Sequence, residues 1–307
     1  GDPGPAAGSL APVSDGFEWA MLALSLVTTV VWAILVILAV RTRQRIGMAV
    51  VGLVISPAAI TLVSVQQEIE IGRETNAQVR ARTAELRDPQ VTAYVSRIGR
   101  RLAKAAPGAA YPYTFSVADY REINALSLPG GPVWINRGVL HAATAESQVA
   151  GVLAHEIAHI ALRHAADQLA AAMLARWSLS ALGAMLGNTG GAGTAQIAGA
   201  LLTNGVFLKF SRDDERAADR AGLQIMTKAG WDPRGMIELC EVVRREGQRD
   251  PGAVEVFFST HPSPQDRIAA LTAAASRIRG GIRDTAQFRA VKARVLKLPP
   301  PHKMPAS

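Results

Sequence analysis

The sequence predicts an α+β fold that is mainly helical with a small sheet and is preceded by an N-terminal transmembrane helical hairpin. Apolar residues recur at helical spacing in much of the chain, short alternating runs lie near its middle, and two long charge-free runs lie near its start. With 307 residues, 49% hydrophobic and 19% charged, the chain does not belong to the disordered class and suffices for one sizeable domain or two small ones.

The composition limits the partners and the type of metal site. A formal net charge of +8 permits an anionic partner, but aromatic residues make up only 5% and no basic run is interleaved with them. We therefore expect no nucleic acid partner. The single cysteine, Cys240, excludes an intrachain disulfide partner and a cysteine zinc cluster. Any metal must be held by histidines and carboxylates.

The two charge-free runs, 19–40 and 46–65, are each long enough as a helix to cross about 30 Å of bilayer core. The link between them carries Arg41, Arg43 and Arg45, which favours a cytoplasmic link. The leader, 1–18, and everything after residue 65 would then face outward. Because the leader has no Lys or Arg, the first run is a poor signal peptide. Membrane lipid is thus an expected partner through residues 19–65.

The remainder, 66–297, is predicted to be one domain. Its first half should contain a polar helix at 67–86, a second helix after the break at 87–89, a strand at 113–117, and two strands joined through Gly130 and Gly131. A helix is predicted from Ala145, with Thr144 as its N-cap. Further helices are predicted at 196–208, 212–228, 233–246 and 265–278. The Pro-rich tail, 298–307, is predicted to be disordered.

The sharpest motif is His155-Glu156-Ile157-Ala158-His159, which lies in an apolar run. On a helix the two histidines stand one turn apart on one face, so both imidazoles can reach one ion. Glu156 lies about 100° round the helix, where it can take a proton from a water at the open position of the metal. A helix that carries these polar residues by chance would bury them at a cost. The motif therefore predicts one zinc ion per chain.

A catalytic zinc needs a third protein ligand. Glu215 and Asp219 lie one turn apart on a later predicted helix, so one can bind the metal while the other supports a ligand imidazole. Among the nearby carboxylates the choice stays open on these grounds, although Asp213 and Asp214 fit a solvated face.

Four motifs in order resemble one known family. Two of them are the histidine motif and the segment 211–222, which reads Ser-Arg-Asp-Asp-Glu-Arg-Ala-Ala-Asp-Arg-Ala-Gly. The others are 123–131, Ile-Asn-Ala-Leu-Ser-Leu-Pro-Gly-Gly, and 260–268, Thr-His-Pro-Ser-Pro-Gln-Asp-Arg-Ile. Together they resemble the membrane-associated gluzincin zinc metalloproteases of peptidase family M48, whose members include HtpX-like, BepA-like and Oma-like proteases and the CAAX prenyl endopeptidases.

The resemblance implies a zincin catalytic domain and specific roles. It implies His155, His159 and Glu215 as zinc ligands, Glu156 as general base and acid, and Asp219 as a support behind a ligand. An edge strand would hold an extended peptide by strand addition, as described in other folds; its residues are Asn124, Ala125, Leu126, Ser127 and Leu128. The resemblance also places His261 near the active site. Because an imidazole there could take the open position of the metal, we consider it a candidate regulatory residue or fourth ligand. Where relatives often carry a further acid, this chain has Ala217.

Two other features complete the prediction. The apolar stretch 165–186 is predicted to form a helical hairpin beside the cleft, with its contact to lipid left open. His164 lies nine residues after His155, about 180° round a continuous helix, and is therefore predicted to be unable to join the metal.

We therefore expect a membrane-anchored zinc-dependent endopeptidase that cleaves unfolded or misfolded envelope proteins. The resemblance implies a bacterial inner membrane, and the arginines of the link predict that the catalytic domain lies on the periplasmic side. Two alternatives are a CAAX-type processing protease, disfavoured by only two visible spans, and a chaperone or adaptor with little proteolysis, disfavoured by the intact Glu156.

Overall fold

The computed structural model describes residues 63–171, 210–255, 257, 261, 264–276, 278 and 280–305. The chain divides into two compact units, Gly1–Pro57 and Ala58–Ser307, and all described residues belong to the second. The predicted leader, nearly all of the predicted hairpin, the helix at 196–208 and most of the stretch 165–186 lie outside the described residues. No helix of the described part is long and apolar enough to cross a membrane.

Helices dominate the described residues, as the sequence predicted. They are α1 (Val65–Arg82), α2 (Pro89–Ala103), α3 (Arg137–Ala142), α4 (Glu146–Ala161), α5 (Arg212–Lys228), α6 (Arg234–Arg249), α7 (Pro264–Ala275) and α8 (Ala286–Lys297). Helical structure also resumes at His164 and continues to residue 171. A single 3₁₀ turn, Pro251–Ala253, follows α6.

The predicted small sheet is present and has three strands, β1 (Thr114–Ala118), β2 (Ala125–Ser127) and β3 (Pro132–Asn136), in the order β1-β3-β2. β1 runs parallel to β3, whereas β2 is antiparallel to β3, with Leu126 opposite Trp134. β2 is therefore an edge strand of this sheet, and it lies beside α4.

Helix α4 is the centre of the fold, because every one of its residues is buried. α2, α5, α6 and β2 all pack against it, which explains why apolar residues occur on all of its faces. Close approach depends on glycine: a Cβ at Gly222 of α5 would lie 2.6 Å from the Met236 side chain and 3.4 Å from the backbone nitrogen of His155. The missing side chain lets α5 carry its carboxylates up to α4.

The structure adds to the sequence analysis of the domain and corrects it at the start of α4. The N-cap of α4 is Ala145 and no side chain caps it, whereas Thr144 accepts a hydrogen bond from Gln148. Helices α3 and α8 were not predicted. The tail, predicted to be disordered, is described to residue 305. His302 forms a parallel bridge with Tyr120, and its backbone bonds to Asp119 and Arg121 tie the tail to the end of β1.

Candidate metal centre

Two histidines of α4 form the base of a buried cluster. The Nε2 atoms of His155 and His159 lie 3.1 Å apart, as the one-turn spacing predicts. Both side chains are buried, and Glu156 between them is 2% exposed. The arrangement follows from local helix geometry, so it depends only on α4 being continuous from His155 to His159.

Helix α5 brings a carboxylate to the same point. Oε2 of Glu215 lies 3.5 Å from His155 Nε2, and Oε1 lies 3.3 Å from His159 Nε2. The start of α5 is set by a capping box, in which Ser211 accepts from the backbone of Asp214 and the Asp214 side chain accepts from the backbone of Ser211. Asp214 is thus occupied at the helix terminus, and Asp213 is exposed and paired with Arg216. Of these three acids only Glu215 reaches the two histidines of α4.

These separations fit a zinc ion. Ligand atoms about 2.0–2.1 Å from a tetrahedral zinc are about 3.3–3.4 Å from one another. The two imidazole nitrogens lie 3.1 Å apart, and each lies 3.3 or 3.5 Å from a different oxygen of Glu215. Two neutral imidazoles and a carboxylate are also a donor set that zinc prefers. In addition, Oε2 of Glu156 is buried without a hydrogen-bond donor among the described residues, which leaves an acceptor free in the centre.

His261 completes a group of four. Its Nδ1 lies 2.9 Å from Oε1 of Glu215, and its Nε2 lies 3.6 Å from Oε1 of Glu156. One ligand atom from each of His155, His159, Glu215 and His261 lies within 4.8 Å of the others. The imidazole is buried, and the backbone nitrogen of His261 donates to the carbonyl of Phe257.

The far side of His155 is held by charges. Oδ1 of Asp219 lies 3.1 Å from its Nδ1, on the side away from the cluster. Arg267 of α7 donates to both oxygens of Asp219, at 2.8 and 2.6 Å, and its Nη1 lies 3.0 Å from Oε2 of Glu215. Sequence reasoning missed Arg267. The sequence does place this arginine inside the motif at 260–268. Its partner Asp219 becomes apparent only when α7 packs on α5.

The far side of His159 is held differently. Its Nδ1 lies 2.9 Å from Nδ1 of His164, and the ring of Phe210 stacks on it with a centroid distance of 3.9 Å. The expectation that His164 points away from the metal face was wrong about its direction, because α4 ends at Ala161 and Arg163 adopts a φ of +62°. The turn brings His164 back against His159. His164 is not among the four candidate ligands.

The electrostatics differ between the two histidines. Burial and Arg267 act to lower the pKa of His155, but its bonds to Asp219 and Glu215 prevail and raise it to about 9. Burial holds the pKa of His159 well below its ordinary value. Burial also opposes ionisation of the two carboxylates, yet the electrostatic interaction with His261 and the bonds from His155 hold the pKa of Glu215 far below its usual range. His155 and Arg267 lower the pKa of Asp219 to about 2.

The predicted peptide strand lies at the edge of the sheet. The bonds from Asn136 to the carbonyl of Asn124 and from Leu128 to the carbonyl of Pro132 show which residues pair with β3. In an antiparallel pair the alternate residues point their main-chain groups the other way. Ala125 and Ser127 therefore face the outer edge, where no strand of the described residues pairs with them.

Comparisons with known proteins match most of this domain. The sequence profile of peptidase family M48 matches residues 89–275. The beta-barrel assembly-enhancing protease of Escherichia coli K12 is 32% identical over 247 residues, 78% of this chain and 50% of that protein. The mitochondrial metalloendopeptidase OMA1 of Schizosaccharomyces pombe is 35% identical over 178 residues, 58% of this chain and 51% of that protein. Metalloprotease YcaL of E. coli is 26% identical over 183 residues. The chain thus spans about half the length of the first two relatives.

Proposed function

The chain belongs to peptidase family M48, as its motifs predicted, and we propose that it is a membrane-anchored zinc-dependent endopeptidase. The observation that carries the proposal is the close approach of the Nε2 atoms of His155 and His159 to each other and to the two carboxylate oxygens of Glu215, beside a buried Glu156 oxygen without a hydrogen-bond donor in the described part of the chain. A structural zinc site would be closed by four protein ligands and would not need such a base.

In the proposed reaction, His155, His159 and Glu215 hold the metal. When bound there, zinc would acidify a water molecule and polarise the scissile carbonyl. Glu156 accepts the proton of that water on its free oxygen and then delivers it to the leaving amine. Asp219 and Arg267 keep the His155 imidazole and the Glu215 carboxylate in place, so that the ligands need not reorganise during the reaction.

The proposed substrate is an extended polypeptide that adds as a strand to β2. Its main chain would bond to Ala125 and Ser127, within the predicted strand from Asn124 to Leu128, while Leu126 pairs with β3. Recognition through main-chain groups selects conformation rather than sequence, which suits unfolded or misfolded segments. One relative is named for assisting beta-barrel assembly, and by likeness we propose envelope or membrane proteins as the source of these segments.

The mechanism is tested with Glu156→Gln in the full chain. Because general base catalysis typically contributes about 10²–10⁴-fold, cleavage of an unfolded protein should fall by at least roughly a hundredfold while the zinc content stays parental. Glu215→Ala, the control for the ligand role, should lose zinc as well as activity. If the parent protein binds unfolded chains but never cleaves them, it is an adaptor with this fold. Parental cleavage by Glu156→Gln would refute the mechanism.

We propose His261 as a fourth, removable ligand that keeps the resting enzyme latent. Its imidazole lies beside Glu215 and Glu156, which places it near the position that a catalytic site must leave free. His261→Ala should raise basal proteolysis of an unfolded substrate if the imidazole blocks that position. A decrease would assign His261 to substrate or transition-state binding, and unchanged activity would leave it a structural residue.

We also propose that residues 19–65 anchor the protein in a bacterial inner membrane, with the leader 1–18 and the domain 66–297 on the periplasmic side. The three arginines of the link and the absence of basic residues in the leader support this orientation. Protease added to intact spheroplasts should then cut after residue 65. Protection until lysis would place the domain in the cytoplasm.

A further inference from the structure

Arg163 occupies a backbone conformation that arginine rarely adopts. It is the only non-glycine residue of the described part with a positive φ, +62°, and it directly follows the C-cap of α4. This position after a helix favours glycine, because a side chain there costs roughly 1 kcal/mol. An arginine at this position indicates that its side chain makes contacts that offset the backbone cost.

The contacts of Arg163 lead to α1. Its Nε donates to Oε1 of Glu68 at 2.6 Å, and its Nη2 donates to the carbonyl of Val63 just before α1. Glu68 is 1% exposed, and its other oxygen accepts from Tyr111 at 3.0 Å. A buried carboxylate that has lost its water depends on such partners, so the pair fixes both the start of α1 and the turn after α4.

The same turn delivers His164 to the metal ligand His159. The two Nδ1 atoms lie 2.9 Å apart, and both rings are buried. If Nε2 of His159 binds the metal with its lone pair, its Nδ1 carries the hydrogen and donates to Nδ1 of His164. His164 then carries its own hydrogen on Nε2, which points toward Asp214 at 3.9 Å. The bond would fix both the tautomer and the ring orientation of the ligand.

We propose that His164 is a positioning residue for the ligand His159, and that the buried Glu68–Arg163 pair holds it there, so that the first helix after the predicted membrane segment sets the metal affinity. The inference rests on the proposed metal site. The contacts run from Glu68 through Arg163 and the adjoining turn to His164 and then His159. Each contact is present in the structure, and none involves an atom that binds the ion.

The first experiment measures zinc affinity of the full chain by competition with a chelator. The variants at His164 differ in whether they can replace its Nδ1 as an acceptor. Oδ1 of asparagine is as many bonds from Cβ as Nδ1 of histidine, whereas the oxygen of glutamine is as far from Cβ as Nε2. His164→Leu and His164→Gln should bind zinc about ten- to a hundredfold more weakly, as losses of partners behind a ligand do. His164→Asn should recover most of that loss. Equal affinity of His164→Leu and the parent would refute the positioning role.

The second experiment tests the connection to α1. Glu68→Gln should weaken zinc binding roughly twofold to thirtyfold, the range of couplings between linked residues. The matched control is Glu70→Gln on the same helix, which removes only an exposed pair with Arg73. If the effect runs through His164, adding Glu68→Gln to His164→Leu should cause no further loss. Additive losses would refute the connection, because Glu68 and His164 would then act independently.

Folding and the metal site are checked separately. Circular dichroism and denaturation establish that each variant folds. If Glu68→Gln alone does not fold, it is combined with Arg163→Gly. The double variant leaves no unpaired arginine and removes the cost of the positive φ at residue 163. His155→Ala should abolish zinc binding. If it binds zinc as the parent does, the proposed metal site fails and this inference fails with it. Loss in His155→Ala but not in His164→Leu refutes this inference alone.

Discussion

The two ends of α4 are both pinned by buried carboxylates, but the two arrangements differ in kind. At the N-terminus, Glu146 of α4 itself is 1% exposed and accepts hydrogen bonds from Tyr94, Trp231 and Thr285. At the C-terminus, the carboxylate is Glu68 of another helix, which binds Arg163. The negative charge of Glu146 at the N-terminus of α4 and the positive charge of Arg163 after its C-terminus both suit the helix dipole.

The difference lies in what each end is connected to. Glu146 joins α4 to α2, to Trp231 in the connection between α5 and α6, and to the N-cap of α8, and it stands about 20 Å from His159 along the helix. Arg163 instead joins α4 to the first described helix and adjoins a residue that touches a metal ligand. The comparison indicates that the N-terminal end stabilises the fold, whereas the C-terminal end tunes the metal centre.

The largest expected effect tests the N-terminal end. Glu146→Ala removes the carboxylate that accepts hydrogen bonds from three neutral donors. It also removes a longer contact of this carboxylate with Arg97, at 3.5 Å. Since hydrogen bonds to a buried charged group are worth about 1.5–3 kcal/mol each, the free energy of unfolding should fall by about 3–5 kcal/mol. Zinc affinity of the molecules that remain folded should not change.

Urea denaturation measures the first quantity and chelator competition the second. Glu146→Gln, which keeps an acceptor, is the milder variant if the alanine variant does not fold. A drop in zinc affinity as large as that of His164→Leu would contradict the division of roles between the two ends of α4.

Asp219 contacts His155 on the side away from the cluster, as His164 contacts His159. Asp219→Ala should weaken zinc binding by about ten- to a hundredfold, because its carboxylate orients the His155 ring from behind. The matched control, Asp213→Ala, removes an exposed carboxylate from the same helix and should have no effect. Chelator competition gives both values, and equal affinities for the two variants would show that Asp219 has no supporting role.

Contacts between residues close in the sequence could be predicted, whereas contacts between distant elements could not. The spacing of His155 and His159 is local to one helix, so the motif alone predicts their separation. Arg267 lies on a helix whose partner becomes apparent only when α7 packs on α5. His164 was misplaced because Arg163, which ends the helix, is neither glycine nor proline and leaves no signal in the sequence. The Pro-rich tail has a composition typical of disorder, yet backbone groups of Asp119 and Arg121, just after β1, bond to His302.

The smallest expected effect concerns Asp88, which belongs to the N-terminal side of the comparison. It caps α2, the helix of Tyr94, by accepting from the backbone of Gln90 and Val91. It also accepts from Arg294 of α8 at 2.7 Å. Burial alone would raise the pKa of Asp88, but the bonds from Val91 and Arg294 prevail and lower it.

The sign of the pH dependence follows from that lowered pKa. The ionised carboxylate stabilises the fold fully above the ordinary aspartate pKa, about 4, and the contribution is lost as the pH falls through the lower pKa of the folded state. Asp88→Asn keeps a capping oxygen but has no charge, so it should be about 0.5–1 kcal/mol less stable at pH 7. Urea denaturation of the metal-free protein and variant from pH 7 to pH 3 should show this gap closing at the acid end, with zinc affinity at pH 7 unchanged. A gap that stays constant with pH would mean that the charge of Asp88 contributes nothing, and a changed zinc affinity would connect this end of α4 to the metal centre.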